Sequence, residues 1–176
     1  SVLGGGVAGL CAARVAAGMG ADVTVFDVDV ARMRYIDEVW GGRIGTRFSS
    51  PLAVREACGE SDVVIGSVLV PGARTPHLVD HEMVLGMVPG SVLVDVAVDQ
   101  GGWFEDSHPT THADPTFVVG GSVFYCVANM PGAVANTSTR ALSSATLPYI
   151  RAVANDSLDA AIKRFPGLEG GVMTRG

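Results

Sequence analysis

Short apolar runs alternate along this chain with segments of helical periodicity. The clearest runs, residues 61–70 and 91–96, are apolar almost throughout, as strands are when helices cover both faces of a parallel sheet. Shorter runs at 1–3 and 21–26 each precede a segment that reads as a helix. The pattern predicts an α/β fold of the Rossmann type, a doubly wound, mostly parallel sheet with helices on both faces.

Turn residues and caps delimit the remaining elements. They predict helices at 30–39, 51–58 and 79–87, a strand at 43–48, and a strand pair at 116–119 and 123–127. The character changes beyond residue 131, where a helix kinked by Pro148 is predicted at 139–154 and a shorter helix at 158–164. We therefore expect a nucleotide-binding domain over 1–136 and C-terminal helices over 137–176 that belong to another domain.

The first nine residues carry a glycine motif of known function. Gly4, Gly6 and Gly9 follow the spacing G-x-G-x-x-G between a strand end and a helix. In a dinucleotide-binding turn, Gly4 permits the tight turn, Gly6 lets the backbone approach a pyrophosphate, and Gly9 lets the helix lie close to the strand. The N–H groups at the start of that helix would hold the phosphates. The alternative is a βαβ unit that binds a different nucleotide or none.

An acidic residue lies where such a unit binds ribose. Asp27 ends the second strand, about 20 residues beyond the glycines, where its carboxylate would accept hydrogen bonds from a ribose hydroxyl pair and repel a 2′-phosphate. This favours NAD over NADP. Arg32, in the first turn of the next helix, is within reach of the adenosine end, although the pattern is equally compatible with a solvated surface arginine.

Two later strands deliver polar side chains to the edge of the sheet where α/β proteins place ligands. Asp99 follows the strand at 91–96 and precedes two glycines, which makes it the best catalytic candidate; the alternative is a carboxylate that caps a turn. Asn129 follows the strand at 123–127, where its amide could hydrogen-bond a nicotinamide carboxamide.

Composition and charge exclude several classes of partner. The chain is 48% hydrophobic with a formal net charge of −6, and without a basic cluster we expect no nucleic acid partner. No apolar stretch is long enough to span a bilayer, so we expect no membrane association. The three separated cysteines indicate reduced thiols in a cytoplasmic protein. The histidines between 103 and 115 match no metal-ligand spacing, so no metal is expected.

Longer motifs carry a resemblance to a known family. They are GGGVAG (4–9), DVAVDQGG (95–102), PTTH (109–112), YCVANMPGAV (125–134), TST (137–139) and ATLPY (145–149). Together they closely resemble alanine dehydrogenases, of the alanine dehydrogenase and pyridine nucleotide transhydrogenase family. That resemblance implies reversible, NAD-dependent oxidative deamination of L-alanine to pyruvate and ammonia, by a homohexamer whose subunits have a substrate domain and an NAD domain.

The resemblance also implies roles for individual residues. Asp99 would be the catalytic carboxylate near the nicotinamide and the substrate amine, and Asp27 would hold the adenosine ribose. The other implied cofactor contacts are Gly4, Gly6, Val7, Ala8, Gly9, Arg32, Ser49, Val68, Leu69, Val96, Ala97, Val98, His108, Val127, Ala128, Asn129 and Met130. Two positions depart from the family. Many relatives have cysteine where this chain has Trp103 and a cofactor-binding arginine where it has His108, so the contact at His108 stays open.

The sequence begins without methionine and inside a strand, so we expect it to be part of a longer polypeptide. In the family, a substrate domain that precedes this region supplies the arginine and lysine that bind the substrate carboxylate and carbonyl, and the histidine that acts as acid/base. We therefore expect these 176 residues alone to bind NAD but to turn over little or nothing. Two alternatives remain: the NAD(H)-binding subunit of a proton-translocating transhydrogenase, and a non-catalytic NAD-binding module.

Overall fold

In the computed structural model, which describes residues 1–68 and 77–174, seven strands form one sheet. The strands are β1 (Val2–Leu3), β2 (Thr24–Asp27), β3 (Gly45–Phe48), β4 (Val63–Gly66), β5 (Val92–Asp95), β6 (Thr116–Val119) and β7 (Ser122–Tyr125). The helices are α1 (Val7–Gly18), α2 (Val30–Trp40), α3 (Pro51–Glu60), α4 (His81–Leu85), α5 (Ala135–Asn155) and α6 (Leu158–Arg164).

The strand order is β3-β2-β1-β4-β5-β7-β6. All neighbouring strands are parallel except the hairpin of β6 with β7 at one edge. The chain builds outward from β1 to β3 and then returns to place β4 on the other side of β1. The strand order therefore reverses between β1 and β4. In doubly wound sheets, the crevice at such a reversal point binds the ligand. The predicted fold class is confirmed.

Helices cover both faces of the sheet at its central strands. Neighbouring residues in a strand point to opposite faces, and Val2 and Leu3 accordingly belong to two different apolar clusters, as do Val25 and Phe26. Helices α1 and α2 cover the face of Val2, and α3 and α4 cover the face of Leu3. This two-sided burial explains why the central strands read as continuous apolar runs.

Caps set the helix starts that the sequence predicted. The Asp29 carboxylate accepts hydrogen bonds from the N–H groups of Ala31 and Arg32 at the start of α2. Ser50 caps α3 in the same way, with Pro51 at its first position, where the missing proline N–H costs nothing.

Several predicted boundaries were wrong. The described part of the run 61–70 is a strand only to Gly66, and residues 69–76 lie outside the described residues. The strand expected at 123–127 is Ser122–Tyr125, and the helix expected at 79–87 is the shorter α4. Helix α5 begins at Ala135 rather than at 139. The residues at its start, 135–138, include no large apolar side chain, so the pattern of apolar positions did not indicate a helix there.

Contacts between residues divide the chain into two compact units, Ser1–Met130 and the residues from Pro131 onward. This division falls a few residues before the boundary expected near Asn136. In the second unit, α5 and α6 are followed by a 3₁₀ helix, Pro166–Gly171, and the rings of Tyr149 and Phe165 meet edge to face at 5.0 Å. Among the described residues, no helix combines the length and apolarity needed to cross a membrane.

Candidate functional site

The glycine turn between β1 and α1 is packed too tightly to admit a side chain at Gly4 or Gly9. Gly4 has a φ of +103°, and a Cβ there would lie 2.6 Å from Cγ2 of Val68. A Cβ on Gly9 would lie 2.0 Å from the carbonyl oxygen of Gly4 and 2.3 Å from Oγ of Ser67. Gly4 therefore permits the turn and Gly9 the close approach of α1, which are the structural roles predicted for them.

Ser67 joins the two strands at the reversal point. Its backbone N–H donates to the Leu3 carbonyl at 2.9 Å, and its buried Oγ lies 3.0 Å from the carbonyl oxygens of Leu3 and Gly4. The end of β4 is thus attached directly to the glycine turn. Ser67 had no individual prediction, because a serine at a strand end is compatible with many roles.

The start of α1 faces open space. A Cβ added to Gly6, the N-cap residue, would meet no heavy atom within 4 Å, and the adjacent Val7 is 86% exposed. Gly6 has no side chain to cap the helix, so the first N–H groups of α1 are available to an external acceptor. Such a helix start binds anions, and its shape fits the pyrophosphate site predicted for Gly6, Val7 and Ala8.

Asp27 is bonded to the glycine turn. Its Oδ2 accepts the N–H of Gly5 at 2.7 Å, and its Oδ1 accepts the N–H of Asp29 at 2.9 Å. Its backbone carbonyl accepts the N–H of Ser49 at 2.9 Å. A Cβ on Gly5 would lie 3.1 Å from Cγ of Arg32. The structure therefore gathers Asp27, Arg32 and Ser49, all predicted to lie near the adenosine, around one side of the turn.

Asp99 lies beyond β5 on a short 3₁₀ helix, Val98–Gln100, with its side chain exposed. The neighbouring side chains of Ala97 and Val98 are buried in the core, whereas Val96 is 39% exposed. A ligand at this loop would meet the Asp99 carboxylate and the Val96 side chain, but only the backbone of the two residues between them.

Asp95, the last residue of β5, is a buried carboxylate that shapes this loop. It is 0% exposed and accepts hydrogen bonds from Ala97 N at 3.0 Å, Trp103 N at 2.7 Å and Ser107 Oγ at 2.6 Å. Because a buried carboxylate requires such partners, Asp95 draws both ends of the Asp99 loop together. The sequence analysis predicted no role for Asp95. A carboxylate inside an otherwise apolar run is the signal that could have indicated a structural role.

The segment after this loop runs beside the end of β7. Thr110 N donates to the Cys126 carbonyl at 2.9 Å, and Ala128 N donates to the Thr110 carbonyl at 3.1 Å. This pairing brings Asn129 to Asp99: the N–H of Asn129 lies 3.4 Å from Oδ2 of Asp99. Val127 is buried, whereas Ala128 and Met130 are partly exposed beside Asn129.

The four histidines form no shared site. His108 stacks on the ring of Phe117 at 3.7 Å, and Nε2 of His112 lies 3.1 Å from the carbonyl oxygen of Asn129. Nδ1 of His81 lies 3.0 Å from both carboxylate oxygens of Asp106, which raises the pKa of His81. Across residues 1–68 and 77–174, no three His, Cys, Asp or Glu side chains are grouped as metal ligands would be.

The cysteines are free thiols in the described structure, with Cys58 and Cys126 buried and Cys11 exposed. Burial raises the pKa of the Cys58 thiol to about 11 and also raises that of Cys126. Both thiols pack in the apolar core, and a raised pKa disfavours the thiolate form that acts as a nucleophile.

A parallel sheet that reverses its strand order at a glycine turn, with an acidic residue at the end of β2 bonded to that turn, defines a dinucleotide-binding domain of the Rossmann type. The loops after β5 and β7 add a carboxylate and an amide at the same edge. The chain belongs to the family described as "Alanine dehydrogenase/PNT, C-terminal domain", whose model matches residues 1–176. The family predicted from the motifs is confirmed.

Relatives in this family are similar over almost the whole chain. The chain is 56% identical over 173 residues to the alanine dehydrogenase of Mycolicibacterium smegmatis, covering 98% of this chain and 47% of that protein. It is 57% identical over 162 residues to the alanine dehydrogenase of Halomonas elongata, covering 92% of this chain and 44% of that protein. The chain thus spans about half the length of these relatives.

Two solved structures are also similar to this chain. An L-alanine dehydrogenase matches with a TM-score of 0.89 and 46% identity, covering 99% of this chain and 48% of that one. A transhydrogenase from Sinorhizobium meliloti matches with a TM-score of 0.68 and 34% identity, covering 78% of this chain and 39% of that one. The dehydrogenase is the nearer of these two.

Proposed function

We propose that this chain is the cofactor-binding part of an NAD-dependent alanine dehydrogenase, which converts L-alanine and water reversibly to pyruvate and ammonia. The observation that carries the proposal is the position of Asp99, on the loop after β5 at the carboxyl edge of the sheet, where the glycine turn also lies. The similarity to alanine dehydrogenases along the chain supports the choice of reaction.

The open start of α1 would hold the pyrophosphate of NAD through the N–H groups near Gly6, Val7 and Ala8. The helix dipole adds to this attraction. Asp27 would accept hydrogen bonds from the adenosine ribose, with Arg32 and Ser49 at the adenosine end. Because the Gly5 and Asp29 N–H groups hold both Asp27 oxygens, its charge has a fixed position from which it disfavours a 2′-phosphate.

The nicotinamide would lie across the reversal point, toward the loops after β4, β5 and β7. The proposed contacts there are Val68, Val96, Ala97, Val98, Val127, Ala128, Asn129 and Met130. Leu69, also predicted to line this region, lies outside the described residues. His108 is stacked on Phe117, and its contact with the cofactor stays a prediction.

Bound NAD would supply the hydride acceptor of the reaction. The task of this chain is then to hold the nicotinamide at the sheet edge and to present a base beside the substrate α-carbon. The exposed Asp99 carboxylate can accept a hydrogen bond from the substrate amine or from the attacking water and orient it. A substrate carboxylate is bound most strongly by a cationic side chain such as arginine or lysine.

The resemblance to alanine dehydrogenases supports the proposal that these cations come from a substrate domain to which residues 137–176 also belong. In keeping with the family resemblance, we further propose a homohexamer in the cytoplasm that interacts with neither nucleic acid nor membrane. The free cysteines are compatible with a reducing compartment.

An alanine assay on the complete polypeptide that carries this chain tests the proposal. We expect NADH production from L-alanine and NAD, and an Asp99→Asn variant whose kcat falls by about 10² to 10⁴ with NADH affinity retained. Asp114→Asn is the matched control, since it removes an exposed carboxylate from the neighbouring segment and should leave kcat unchanged.

Three results would contradict parts of the proposal. A kcat of Asp99→Asn close to the wild-type value would remove Asp99 from catalysis. Hydride transfer to a second nucleotide without alanine turnover would favour a transhydrogenase. NADH binding without either activity would favour a non-catalytic module.

A further inference from the structure

Asn129 has an unusual backbone conformation. Its φ is +56°, and it is the single non-glycine residue with positive φ in the described part of the chain. Asparagine tolerates this left-handed conformation better than most residues, yet a side chain still disfavours it. Such conformations persist where the surrounding structure imposes them, and they are concentrated at functional sites.

Neighbouring segments impose it here. The residue before Asn129 is held by the bond from Ala128 N to the Thr110 carbonyl. The carbonyl oxygen of Asn129 then lies 3.1 Å from Nε2 of His112. A carbonyl has no proton to give, so the imidazole donates this hydrogen bond through Nε2–H. The segment 110–112 thus forms hydrogen bonds with two successive residues, Ala128 and Asn129.

The left-handed conformation sets the direction of the N–H of Asn129 relative to its own carbonyl. With the carbonyl turned to His112, the N–H faces Oδ2 of Asp99 at 3.4 Å. This hydrogen bond is long, as catalytic hydrogen bonds often are before substrate binds. A single residue therefore connects His112, in the loop before β6, with Asp99, in the loop after β5.

We propose that the left-handed backbone of Asn129 orients the Asp99 carboxylate, and that His112 is a positioning residue that maintains this backbone. The N–H of Asn129 holds Oδ2, which leaves Oδ1 to face the reacting groups. The inference rests on the proposed function only in that Asp99 is its catalytic carboxylate. This role differs from the predicted contact between the Asn129 side-chain amide and the nicotinamide, because here the backbone N–H of Asn129 orients Asp99.

Two substitutions at Asn129 separate the backbone from the side chain. Asn129→Gly and Asn129→Ala both remove the amide, but only alanine is strained at this φ. In the complete polypeptide, we expect kcat of the glycine variant to exceed that of the alanine variant by about fivefold or more. Equal losses would assign the role of Asn129 to its amide, and an alanine variant with wild-type kcat would exclude any role; either result overturns the proposal.

A second pair tests His112 without touching the strained residue. His112→Ala removes the donor to the Asn129 carbonyl, whereas His112→Gln offers an N–H donor of similar reach. We expect the alanine variant to lose kcat several-fold with little change in KM for NAD, and the glutamine variant to recover most of the loss. A kcat of His112→Gln no higher than that of His112→Ala would overturn the assignment of His112. So would a loss confined to KM.

Hydrogen exchange gives a readout that needs no alanine turnover. The amide of Asn129 should exchange about fivefold faster in Asp99→Ala and in His112→Ala than in the wild-type polypeptide, because each variant removes one of its two constraints. Unchanged exchange in both would refute the inference. The wild type could bind NADH without oxidising alanine, while the two variants still show faster exchange at Asn129. In that case the proposed reaction fails, but the positioning of Asp99 stands.

Discussion

The backbone N–H of Gly5 donates a hydrogen bond of 2.7 Å to Oδ2 of Asp27. This contact connects the glycine turn after β1 with the end of β2, so the residue proposed to bind ribose also supports the turn proposed to bind phosphate. Its two contributions, a hydrogen-bond acceptor and a negative charge, can be separated by substitution.

Replacing Asp27 by asparagine keeps an acceptor oxygen for Gly5 but removes the charge that would repel a 2′-phosphate. We expect the ratio of NADPH to NADH affinity to rise by about tenfold or more in Asp27→Asn, because a like-charge contact is lost. Asp27→Ala should raise the same ratio and weaken both cofactors, since the turn also loses its support. Fluorescence titration with NADH and NADPH measures both effects. An unchanged ratio in both variants would show that Asp27 does not face the 2′ position.

Gly6 and Gly9 form a matched pair within one turn. A Cβ on Gly9 would overlap the carbonyl oxygen of Gly4 and Oγ of Ser67, whereas a Cβ on Gly6 would meet no protein atom. We expect Gly9→Ala to lower the free energy of unfolding by about 3 kcal/mol, as overpacking does. Gly6→Ala should leave stability nearly unchanged but weaken NADH binding by about tenfold, because its methyl group blocks a charge-assisted phosphate contact.

Urea denaturation and NADH titration of the two variants provide the test. Wild-type NADH affinity in Gly6→Ala would place the phosphates away from the start of α1. A fully stable Gly9→Ala protein would mean that α1 can move away from β1 without cost.

The pair of His81 and Asp106 makes stability depend on pH. The hydrogen bond to Asp106 raises the pKa of His81 above its ordinary value of 6.5, with further contributions from Glu105 and Asp80. The folded state therefore prefers the protonated imidazole, and the pair stabilises it fully below the ordinary pKa. That contribution is lost as the pH rises through the raised pKa.

We expect the difference in urea midpoint between the wild type and Asp106→Asn to be larger at about pH 5 than at about pH 8. The effect should be small, because both side chains are partly exposed. His81→Gln should abolish the pH dependence of the Asp106→Asn effect. A difference that is constant over this range, or that grows with pH, would contradict the assignment.

The elements and the glycine turn could be predicted because their signals are local. A strand covered on both faces is apolar throughout, and a cap directly precedes its helix. The three glycines of the turn lie within the segment 4–9. Asp27 could be predicted for a related reason, since a single βαβ unit separates it from the glycines. By contrast, the start of α5 had no signal, because residues 135–138 include no large apolar side chain from which a helical period could be recognised.

The contacts that organise the site join residues that are distant along the chain. Ser67 meets Leu3 only because β4 pairs with β1, and Asn129 meets Asp99 because β7, rather than the preceding β6, pairs with β5. Strand order depends on how the whole sheet packs between its helices. Asp95 was overlooked because its partners approach only after the loop has folded back on it.

The sequence by itself determined the class of fold, the family, the nucleotide-binding turn and the candidate residues Asp27, Asp99 and Asn129, since each depends on residue type and short-range spacing. The tertiary structure decided which of these residues touch: Asp27 supports Gly5, and Asn129 faces Asp99 in a left-handed conformation beside His112. The reason is physical, because a hydrogen bond forms only where donor and acceptor come within about 3.5 Å of each other, and here the pairing of distant strands brings them there.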